Sequence, residues 1–446
     1  MKRYDVIIVG GGAGGLAVAL TLKSLRPDMN ILIIRRTKLQ PVPCSVPYII
    51  DTINSVEGCL IPDAMVTSSG IELVVDEVVD LDRQRKVVKT AKGEEYQYGK
   101  LVLATGTRPS PLNIPGANLE NVVFVHKDYD HLVKAYNVLK TAKKIVIIGA
   151  GFVGVEYADD LARNREVHVV EVLDEALALA FDKEFGEIAR KALEARGVKF
   201  HLNAKVKQIK GVGKVQSVVL ENGEDIPADA VLISVGNTPN TEIARKAGLL
   251  LDESGHLIVD NFMRTNDPDI YAVGDIAQKR DFFTGRPVKT YFATLAIAEG
   301  RVAALHIAGK CQARGIEGIL PAYSTTVGGT VLAAAGLTEA AAKKLGINAI
   351  PVTVEAVNRH PGSLPGAGKI RMKALFASGD LRLIGVQIVG PEPVGEMINY
   401  AAAAIQFSLT AYDILKLTLA TQPLLTASPL VYPLHLAALR ALAQRK

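Results

Sequence analysis

"VIIVGGGAGG" at Val6 to Gly15 returns as "IVIIGAGFVG" at Ile145 to Gly154, and this repeated segment decides the fold. In each copy, four apolar β-favouring residues lead into Gly-x-Gly-x-x-Gly and then into a helix-compatible stretch. The first glycine permits a tight turn, the second lets the backbone approach a pyrophosphate, and the third lets helix pack on strand. The predicted cofactor contacts of the two turns are Gly10, Gly12, Ala13 and Gly14, and Gly149, Gly151, Phe152, Val153 and Gly154.

A second pair of related segments follows the first pair at similar distances. "LVLATGTRP" at Leu101 to Pro109 returns as "VLISVGNTPN" at Val231 to Asn240. The chain of 446 residues is long enough for two or three domains. We therefore predict an α/β protein with two homologous dinucleotide-binding units of similar size.

The two copies differ at the end of their next strand, where a ribose is bound in this kind of unit. In the second copy "VHVVEVLD" contains Glu171, which would accept hydrogen bonds from ribose hydroxyls and repel a 2′-phosphate, so NAD is predicted over NADP. In the first copy "ILIIRR" ends in Arg35 and Arg36 without a carboxylate. Either backbone contacts hold that ribose and a guanidinium packs on the adenine or beside a phosphate, or the dinucleotide is held mainly elsewhere.

Asp275 indicates which dinucleotide the first copy binds. It ends the strand-like stretch "PDIYAVGD", where its carboxylate can be directed at polyol hydroxyls such as those of a flavin's ribityl chain. FAD is therefore predicted for the first unit.

Five motifs together resemble those of the pyridine nucleotide-disulfide oxidoreductases. They are "GGGAGG", "ATGTRP", "GAGFVGVE", "VGNTPN" and "MRTNDPDIYAVGDIA", in the order and at the distances found in that family. The resemblance covers nearly the whole chain. It implies two Rossmann-like domains and a C-terminal α+β domain that forms a homodimer. The implied boundaries are 1–112 with 245–320 for FAD, 113–244 for NAD and 321–446 for dimerisation.

The same resemblance implies further cofactor contacts. Val78 would meet the adenine of FAD, and Glu156 would contact the nicotinamide carboxamide. Ala293 would begin a helix whose positive end faces the flavin, an arrangement that stabilises a reduced, negatively charged ring. The remaining implied contacts are Ala104, Thr105, Gly106 and the counterpart of Gly106 in the second copy, Gly236.

Cys44, in "QPVPCSVPY", is the candidate redox thiol. The fifth residue after it is Ile49, so the Cys-x-x-x-x-Cys pair of the dithiol reductases is missing. The C-terminal His-Pro and glutamate of the glutathione-reductase type are also missing. "CSVPY" instead resembles the single-cysteine branch, which includes coenzyme A-disulfide reductases, NAD(P)H sulfur reductases and NADH oxidases. The resemblance implies a relay of electrons from NADH through FAD to a disulfide or persulfide on Cys44. Pro47 is expected in a first helical turn.

Two residues near the C-terminus are candidates to complete the site. His360 stands where coenzyme A-dependent relatives carry a tyrosine before Pro-Gly, and Tyr432 lies near their second active-site tyrosine. The resemblance implies that both act across the dimer and could donate a proton or hydrogen bond to a leaving thiolate. Lys23 aligns with a basic residue that meets a coenzyme A phosphate, so coenzyme A is a possible further ligand.

Composition limits the other functions. Three cysteines, Cys44, Cys59 and Cys311, favour a reducing cytoplasm over a disulfide-stabilised secreted protein, and Cys59 and Cys311 are expected to be structural. A net charge of +5 without a Lys/Arg run argues against a nucleic-acid partner. Neither a metal-binding spacing nor a membrane-spanning apolar segment is present in the sequence.

Two alternatives to sulfur reduction stay open. The first is an NADH oxidase that reduces dioxygen, although the histidine that the water-forming type carries inside the first glycine loop is replaced by Gly12-Ala13-Gly14. The second is an NADH-dependent reductase of a small redox protein such as rubredoxin.

Overall fold

The computed structural model describes residues 1–310 and 315–445 and contains two compact units. The first unit comprises Met1–Leu112, Phe124–Lys140 and Val235–Ile319. The second comprises Asn113–Val123, Thr141–Ser234 and Leu320–Lys446. The division into three domains at the boundaries given above stays a prediction.

The chain contains runs of strands separated by single helices, and three helices end it. Up to residue 112 they are β1 (Lys2–Val9), α1 (Ala13–Leu25), β2 (Ile31–Arg35), β3 (Gln40–Pro41), β4 (Leu60–Ile61), α2 (Ala64–Thr67), β5 (Glu72–Val75), β6 (Val78–Asp82), β7 (Val87–Thr90), β8 (Glu95–Leu103) and β9 (Thr107–Pro109). Up to residue 246 they are β10 (Val122–Phe124), α3 (Tyr129–Thr141), β11 (Lys144–Ile148), α4 (Phe152–Leu161), β12 (Glu166–Val170), α5 (Lys183–Glu194), β13 (Lys199–His201), β14 (Val206–Val212), β15 (Lys214–Leu220), β16 (Asp225–Pro227), β17 (Ala230–Ile233), β18 (Asn237–Pro239) and α6 (Glu242–Lys246). The rest are β19 (Ile270–Ala272), β20 (Lys279–Arg280), β21 (Pro287–Val288), α7 (Ala293–Ile307), β22 (Ala322–Val327), β23 (Thr330–Gly336), α8 (Glu339–Lys344), β24 (Ala349–Val357), β25 (Lys369–Ala377), β26 (Leu383–Gly390), α9 (Val394–Gln406), α10 (Ala411–Lys416) and α11 (Pro433–Gln444).

The first unit is built on a seven-stranded sheet with the order β5-β2-β1-β8-β7-β6, in which β19 also pairs with β8. Strand β1 is parallel to β2 and β8, and its side chains alternate between two cores. Ile7 and Val9 belong to one buried cluster, whereas Val6 and Ile8 belong to the other. Helices α1 and α7 pack against each other. Because both faces of the sheet are covered at β1, the sequence of this strand is an almost continuous run of apolar residues.

The second unit contains a parallel sheet and an antiparallel one. Strands β12 and β17 are both parallel to β11, and β13 is parallel to β12, in the order β10-β17-β11-β12-β13. Towards the C-terminus, β22-β23-β26-β25-β24 form an antiparallel sheet. Helix α9 packs on β23 and β26, and α11 packs on β24 and β25. The predicted α/β class, with two Rossmann-like sheets and a C-terminal α+β part, is confirmed.

A charge cluster around the buried side chains of Lys373 and Asp182 connects these two parts of the second unit. The Lys373 ammonium lies 3.0 Å from Asp182, 2.8 Å from Glu184 and 2.6 Å from Glu339. Gln387 Nε2 donates a hydrogen bond of 2.6 Å to the Asp182 carboxylate. Burial acts to raise the pKa of Asp182, but the hydrogen bonds from Gln387 and Lys373 outweigh it and lower the pKa. The carboxylate therefore stays ionised, and the segment before α5 is fixed to β25 and β26.

Candidate active site

The two glycine turns have the same local geometry. Gly10 has φ +115° and Gly149 has φ +105°, a region open to glycine. A Cβ on Gly15 would overlap the Gly10 carbonyl oxygen, and a Cβ on Gly154 would overlap that of Gly149. The first glycine therefore makes the turn and the third allows the helix to approach the strand, as the sequence pattern predicts.

The second glycine of each turn faces empty space. Apart from the glycine and its neighbours along the chain, no heavy atom of the described residues lies within 4 Å of the place where a Cβ on Gly12 or Gly151 would stand. These glycines are the N-caps of α1 and α4, and neither helix has a side-chain cap or an acidic residue in its first turn. No side chain caps either helix start and no carboxylate there would repel an anion, so the turns fit the pyrophosphate of a dinucleotide. Ala13, Gly14, Phe152 and Val153 lie in these first turns.

Three other predicted FAD contacts follow the carboxyl end of the parallel strand β8, namely Ala104, Thr105 and Gly106. Ala104 follows β8, and its N–H donates to the Val9 carbonyl at 2.8 Å. Thr105 Oγ1 donates to the Asn240 carbonyl at 2.6 Å, and the Asn240 N–H donates to the Gly106 carbonyl at 2.9 Å. Ligands of open α/β sheets bind at this edge. Val78 is buried at the start of β6, and Gly236, which precedes β18, also belongs to the first unit.

Asp275 lies in the 3₁₀ turn Gly274–Ile276, just after β19. Its carboxylate accepts hydrogen bonds from Lys127 Nζ at 2.7 Å and from Thr107 Oγ1 at 3.2 Å. Lys127 could not be predicted from the sequence as a partner of Asp275, because the two are 148 residues apart and Lys127 lies in no recognised motif. The ammonium holds the carboxylate in one orientation.

A buried ion pair supports the turn that carries Asp275. The Lys279 ammonium lies 2.8 Å from Glu299 on α7, and both side chains are almost fully buried. Glu299 also accepts the Gly274 N–H at 2.7 Å, while Lys279 donates to the Gly274 carbonyl at 2.6 Å. Helix α7 begins at Ala293, and it too has no side-chain cap. The backbone before Asp275 is thus tied to the helix predicted to face the flavin.

Glu171 follows β12 in the second unit, and its carboxylate lies against the glycine turn. It accepts hydrogen bonds from the Ala150 N–H at 2.7 Å and from the Leu173 N–H at 2.9 Å. A carboxylate has further acceptor sites, so two backbone donors leave capacity for ribose hydroxyls. The geometry fits an unphosphorylated ribose.

Glu156 lies one turn into α4, which begins at Phe152. The Phe152 ring belongs to an aromatic cluster, 5.1 Å from that of Tyr323 and 6.2 Å from that of Phe181. Burial raises the pKa of Glu156 to about 7, against the opposing effect of a 2.8 Å hydrogen bond donated by Thr325 Oγ1. Thr325 lies on β22, far from α4 in sequence, so no local signal pointed to it.

We expect the KM for NADH to fall severalfold as the pH rises through 7, because the predicted contact of Glu156 with the carboxamide N–H strengthens when Glu156 becomes a carboxylate. The measurement is the KM for NADH on either side of pH 7, where Glu156 titrates. Glu156→Gln should flatten the profile. Thr325→Val should move it to higher pH, whereas the exposed neighbour Thr326→Val should not. A wild-type profile retained in Glu156→Gln would contradict this assignment.

Cys44 is exposed in the 3₁₀ helix Pro43–Tyr48, next to the short β3–β4 ladder. The expectation that Pro47 lies in a first helical turn is wrong, because Pro43 begins this helix and Pro47 is inside it. Cys59 is buried, its thiol donates to the Val56 carbonyl at 3.0 Å, and burial raises its pKa. Cys311 lies outside the described residues. Cys44 and Cys59 therefore differ in exposure, and burial raises the pKa of Cys59.

His360 and Tyr432 belong to the second unit, and Cys44 belongs to the first. His360 Nδ1 lies 3.0 Å from the Thr426 carbonyl oxygen. The Tyr432 ring lies 6.3 Å from Tyr400 and 5.9 Å from His435, two aromatic residues that the sequence reasoning missed. Burial raises the pKa of Tyr432, which keeps its hydroxyl protonated. Among the described residues, His360 and Tyr432 share no hydrogen bond or ring contact.

Lys23 is held at the end of α1, and the described residues offer neither a metal site nor a membrane-spanning helix. The Lys23 ammonium donates to the carbonyls of Pro27 at 3.1 Å and Met29 at 2.8 Å, so it closes the end of α1. Within residues 1–310 and 315–445, no three His, Cys, Asp or Glu side chains are arranged to hold a metal ion. None of the described helices combines the length and the apolar character needed to cross a bilayer.

Two glycine turns at helix N-termini, with the Glu171 carboxylate on one turn and the Asp275 carboxylate in the unit of the other, fit a flavin- and nicotinamide-dependent oxidoreductase. The family model for pyridine nucleotide-disulphide oxidoreductases matches residues 4–300, and the model for the dimerisation domain of that family matches residues 323–430. The chain belongs to this family, whose members use FAD and NAD(P)H.

Three similar proteins cover almost the whole chain. An NADH oxidase of Methanocaldococcus jannaschii is 32% identical over 98% of this chain and 98% of its own length. An NAD(P)H coenzyme A polysulfide/persulfide reductase of Pyrococcus horikoshii is 30% identical over 95% of each chain. The solved structure of an NAD-dependent persulfide reductase from A. fulgidus has a TM-score of 0.89 and 31% identity, covering 99% of this chain and 83% of its own.

Proposed function

We propose that this enzyme uses NADH to reduce a sulfur substrate, a coenzyme A disulfide, a persulfide or a polysulfide, through the single thiol of Cys44. The observation that carries the proposal is the contrast between two cysteines of one unit. Cys44 is exposed at the start of a short helix, whereas Cys59 is buried and its pKa is raised. Only the thiolate is a nucleophile, so an accessible thiol can react where a buried one stays inert.

The sulfur chemistry needs one thiol and balances without a second cysteine. The Cys44 thiolate attacks one sulfur of the substrate disulfide, a bond forms between the two sulfurs, and the other half leaves as a thiolate. Two electrons from NADH then split the mixed disulfide into the Cys44 thiolate and a second product thiolate. FAD, when bound, supplies the two-electron transfer between a nicotinamide and a disulfide. With a polysulfide the adduct on Cys44 is a persulfide or longer chain.

The protein's own residues have distinct tasks in this proposal. Glu171 selects the unphosphorylated ribose, and Glu156 orients the nicotinamide carboxamide. Asp275, held by Lys127, binds the ribityl chain. The protonated Tyr432 hydroxyl, or His360, donates a hydrogen bond to the leaving thiolate and lowers its basicity.

We further propose a homodimer in which Tyr432 and His360 act at the partner's site. The dimerisation-domain match supports it, and so do the large apolar side chains exposed near the C-terminus. Leu430 is 91% exposed and Leu425 is 67% exposed, and apolar surface of this kind marks interaction sites when it is contiguous. Burial of this surface against a second copy would remove both from water.

The names of similar proteins agree with a sulfur substrate but also favour a second candidate. The Pyrococcus horikoshii and A. fulgidus proteins are named as persulfide or polysulfide reductases, and the first name includes coenzyme A. The Methanocaldococcus jannaschii protein is named an NADH oxidase. Reduction of dioxygen by NADH is therefore the alternative that the experiment must separate.

The experiment compares acceptors with the purified FAD-loaded enzyme. We expect kcat/KM with coenzyme A disulfide or polysulfide, measured anaerobically, to exceed that with dioxygen by more than about tenfold, or about 1.4 kcal/mol of barrier. Rates are followed by NADH absorbance and by thiol or sulfide release. An enzyme that oxidises NADH with dioxygen but releases no thiol or sulfide from any of these compounds would be an oxidase instead.

A further inference from the structure

The first glycine turn has an arginine where the second has a carboxylate, and the two copies can be compared atom by atom. The Gly10 N–H donates to the Ile34 carbonyl at 2.8 Å, as the Gly149 N–H donates to that of Val170 at 2.9 Å. The residues that follow, Arg35 and Glu171, therefore occupy equivalent places beside their turns. In the second copy that place puts a carboxylate on the loop N–H of Ala150.

Arg35 lies over the glycine loop rather than in solvent. Its side chain is only 5% exposed. A Cβ on Gly11 would stand 3.0 Å from Arg35 Cδ, so the arginine stem covers the position that corresponds to Ala150. The site that normally receives ribose hydroxyls is thus lined by a buried guanidinium.

The Arg35 guanidinium forms an ion pair with the carboxylate of Asp63, which lies 28 residues further along the chain. Arg35 Nη2 lies 2.7 Å from Asp63 Oδ1 and 2.8 Å from Asp63 Oδ2, and it also donates to the Lys38 carbonyl at 2.6 Å. Asp63 precedes α2, and its side chain is 45% exposed. Arg35 is its only side-chain partner in the described parts of the chain, so the carboxylate retains acceptor capacity.

A second feature of Arg35 also indicates a missing partner. Its Nε is buried and makes no hydrogen bond within residues 1–310 and 315–445. Buried donors are nearly always satisfied, and a ribose oxygen is an acceptor of the right kind. An unpartnered donor and an incompletely used carboxylate therefore lie together at the end of β2.

We propose that the Arg35–Asp63 pair binds the adenosine ribose of FAD, with Asp63 accepting from the ribose hydroxyls and Arg35 Nε donating to a ribose oxygen. Asp63 thus replaces the carboxylate that β2 lacks, and Arg35 positions it. The pair also neutralises the guanidinium, which removes the attraction that a lone arginine would have for a phosphate group. This inference concerns FAD, which the family uses, and does not depend on the sulfur substrate.

The test measures binding of FAD to the apoprotein by quenching of flavin fluorescence. Asp63→Asn and Asp63→Ala should raise the Kd for FAD by about 10- to 100-fold, the range for loss of hydrogen bonds to a charged group. Asp28→Ala is the matched control, because Asp28 is an exposed carboxylate of the same unit that is paired with Arg26 at 2.9 Å. It should leave the Kd unchanged.

A thermodynamic cycle that combines one protein variant with one FAD analogue separates ribose binding by Asp63 from a structural role. An FAD analogue that lacks the adenosine 2′-hydroxyl should bind wild type more weakly than FAD does, and this difference should shrink or vanish in Asp63→Ala. If Asp63 only held Arg35 in place, the variant would lose equal affinity for both ligands. An undiminished difference in the variant, an unchanged Kd for FAD, or tighter FAD binding through an unmasked arginine would each overturn the proposal.

Discussion

Cys44→Ser is expected to lower turnover of every sulfur substrate by at least about 1,000-fold, as removal of the nucleophile does in other covalent mechanisms. The hydroxyl of serine is a poor nucleophile at neutral pH and cannot form a mixed disulfide. Oxidation of NADH by dioxygen needs no thiol, so it should persist. The fold and the bound FAD should also persist, because the side chain is exposed and only one atom changes. The measurements are kcat/KM for both kinds of acceptor and the FAD content.

Two variants close to Cys44 in the sequence serve as controls for Cys44→Ser. Cys59→Ser should retain sulfur turnover, although the buried hydroxyl costs some stability. Ser45→Ala removes a hydroxyl that donates to the Val42 carbonyl next to Cys44, and it should change the rate only slightly. Parental sulfur turnover in Cys44→Ser would remove the basis of the proposed relay.

Glu171→Ala is expected to lower the preference for NADH over NADPH by about 10- to 100-fold, expressed as the ratio of kcat/KM values. The carboxylate would accept from the ribose hydroxyls of NADH and repel the 2′-phosphate of NADPH. Its place beside the Ala150 N–H brings that charge to the turn. Initial rates with each nucleotide at fixed acceptor concentration give the ratio.

Two further variants test the origin of this preference. Glu171→Gln removes the charge but keeps an acceptor for the loop N–H groups. This variant should have a higher kcat/KM with NADPH than the wild-type enzyme, and its loop should stay folded. Glu221→Ala removes an exposed carboxylate elsewhere in the second unit, paired with Lys205 at 2.7 Å, and should leave the ratio unchanged. Equal use of both nucleotides by the wild-type enzyme would contradict the role of Glu171.

The features that could be predicted from sequence depend on neighbouring residues. The turns at Gly10 and Gly149 follow from a local pattern, since strand, glycines and helix occur within about ten residues and each step has a steric reason. The alternation of β1 between two cores likewise follows from strand geometry. Fold class and cofactor class were therefore accessible from the sequence.

The features that could not be predicted depend on contacts across the chain. Lys127 reaches Asp275, Thr325 reaches Glu156, and Asp63 reaches Arg35, and no local motif marks any of these partners. The expectation for Pro47 failed for a related reason. Prolines stand at both positions 43 and 47, and sequence alone does not say which of them begins the helix.

The most direct test of the relay through Cys44 is the mass of the Cys44 peptide after the enzyme meets its sulfur substrate without NADH. We expect a single adduct on Cys44, coenzyme A in disulfide linkage or added sulfur atoms according to the substrate, which disappears when NADH is added and never forms in Cys44→Ser. Turnover of the same substrate with no adduct on Cys44, or with an adduct on Cys59 that NADH removes, would contradict it.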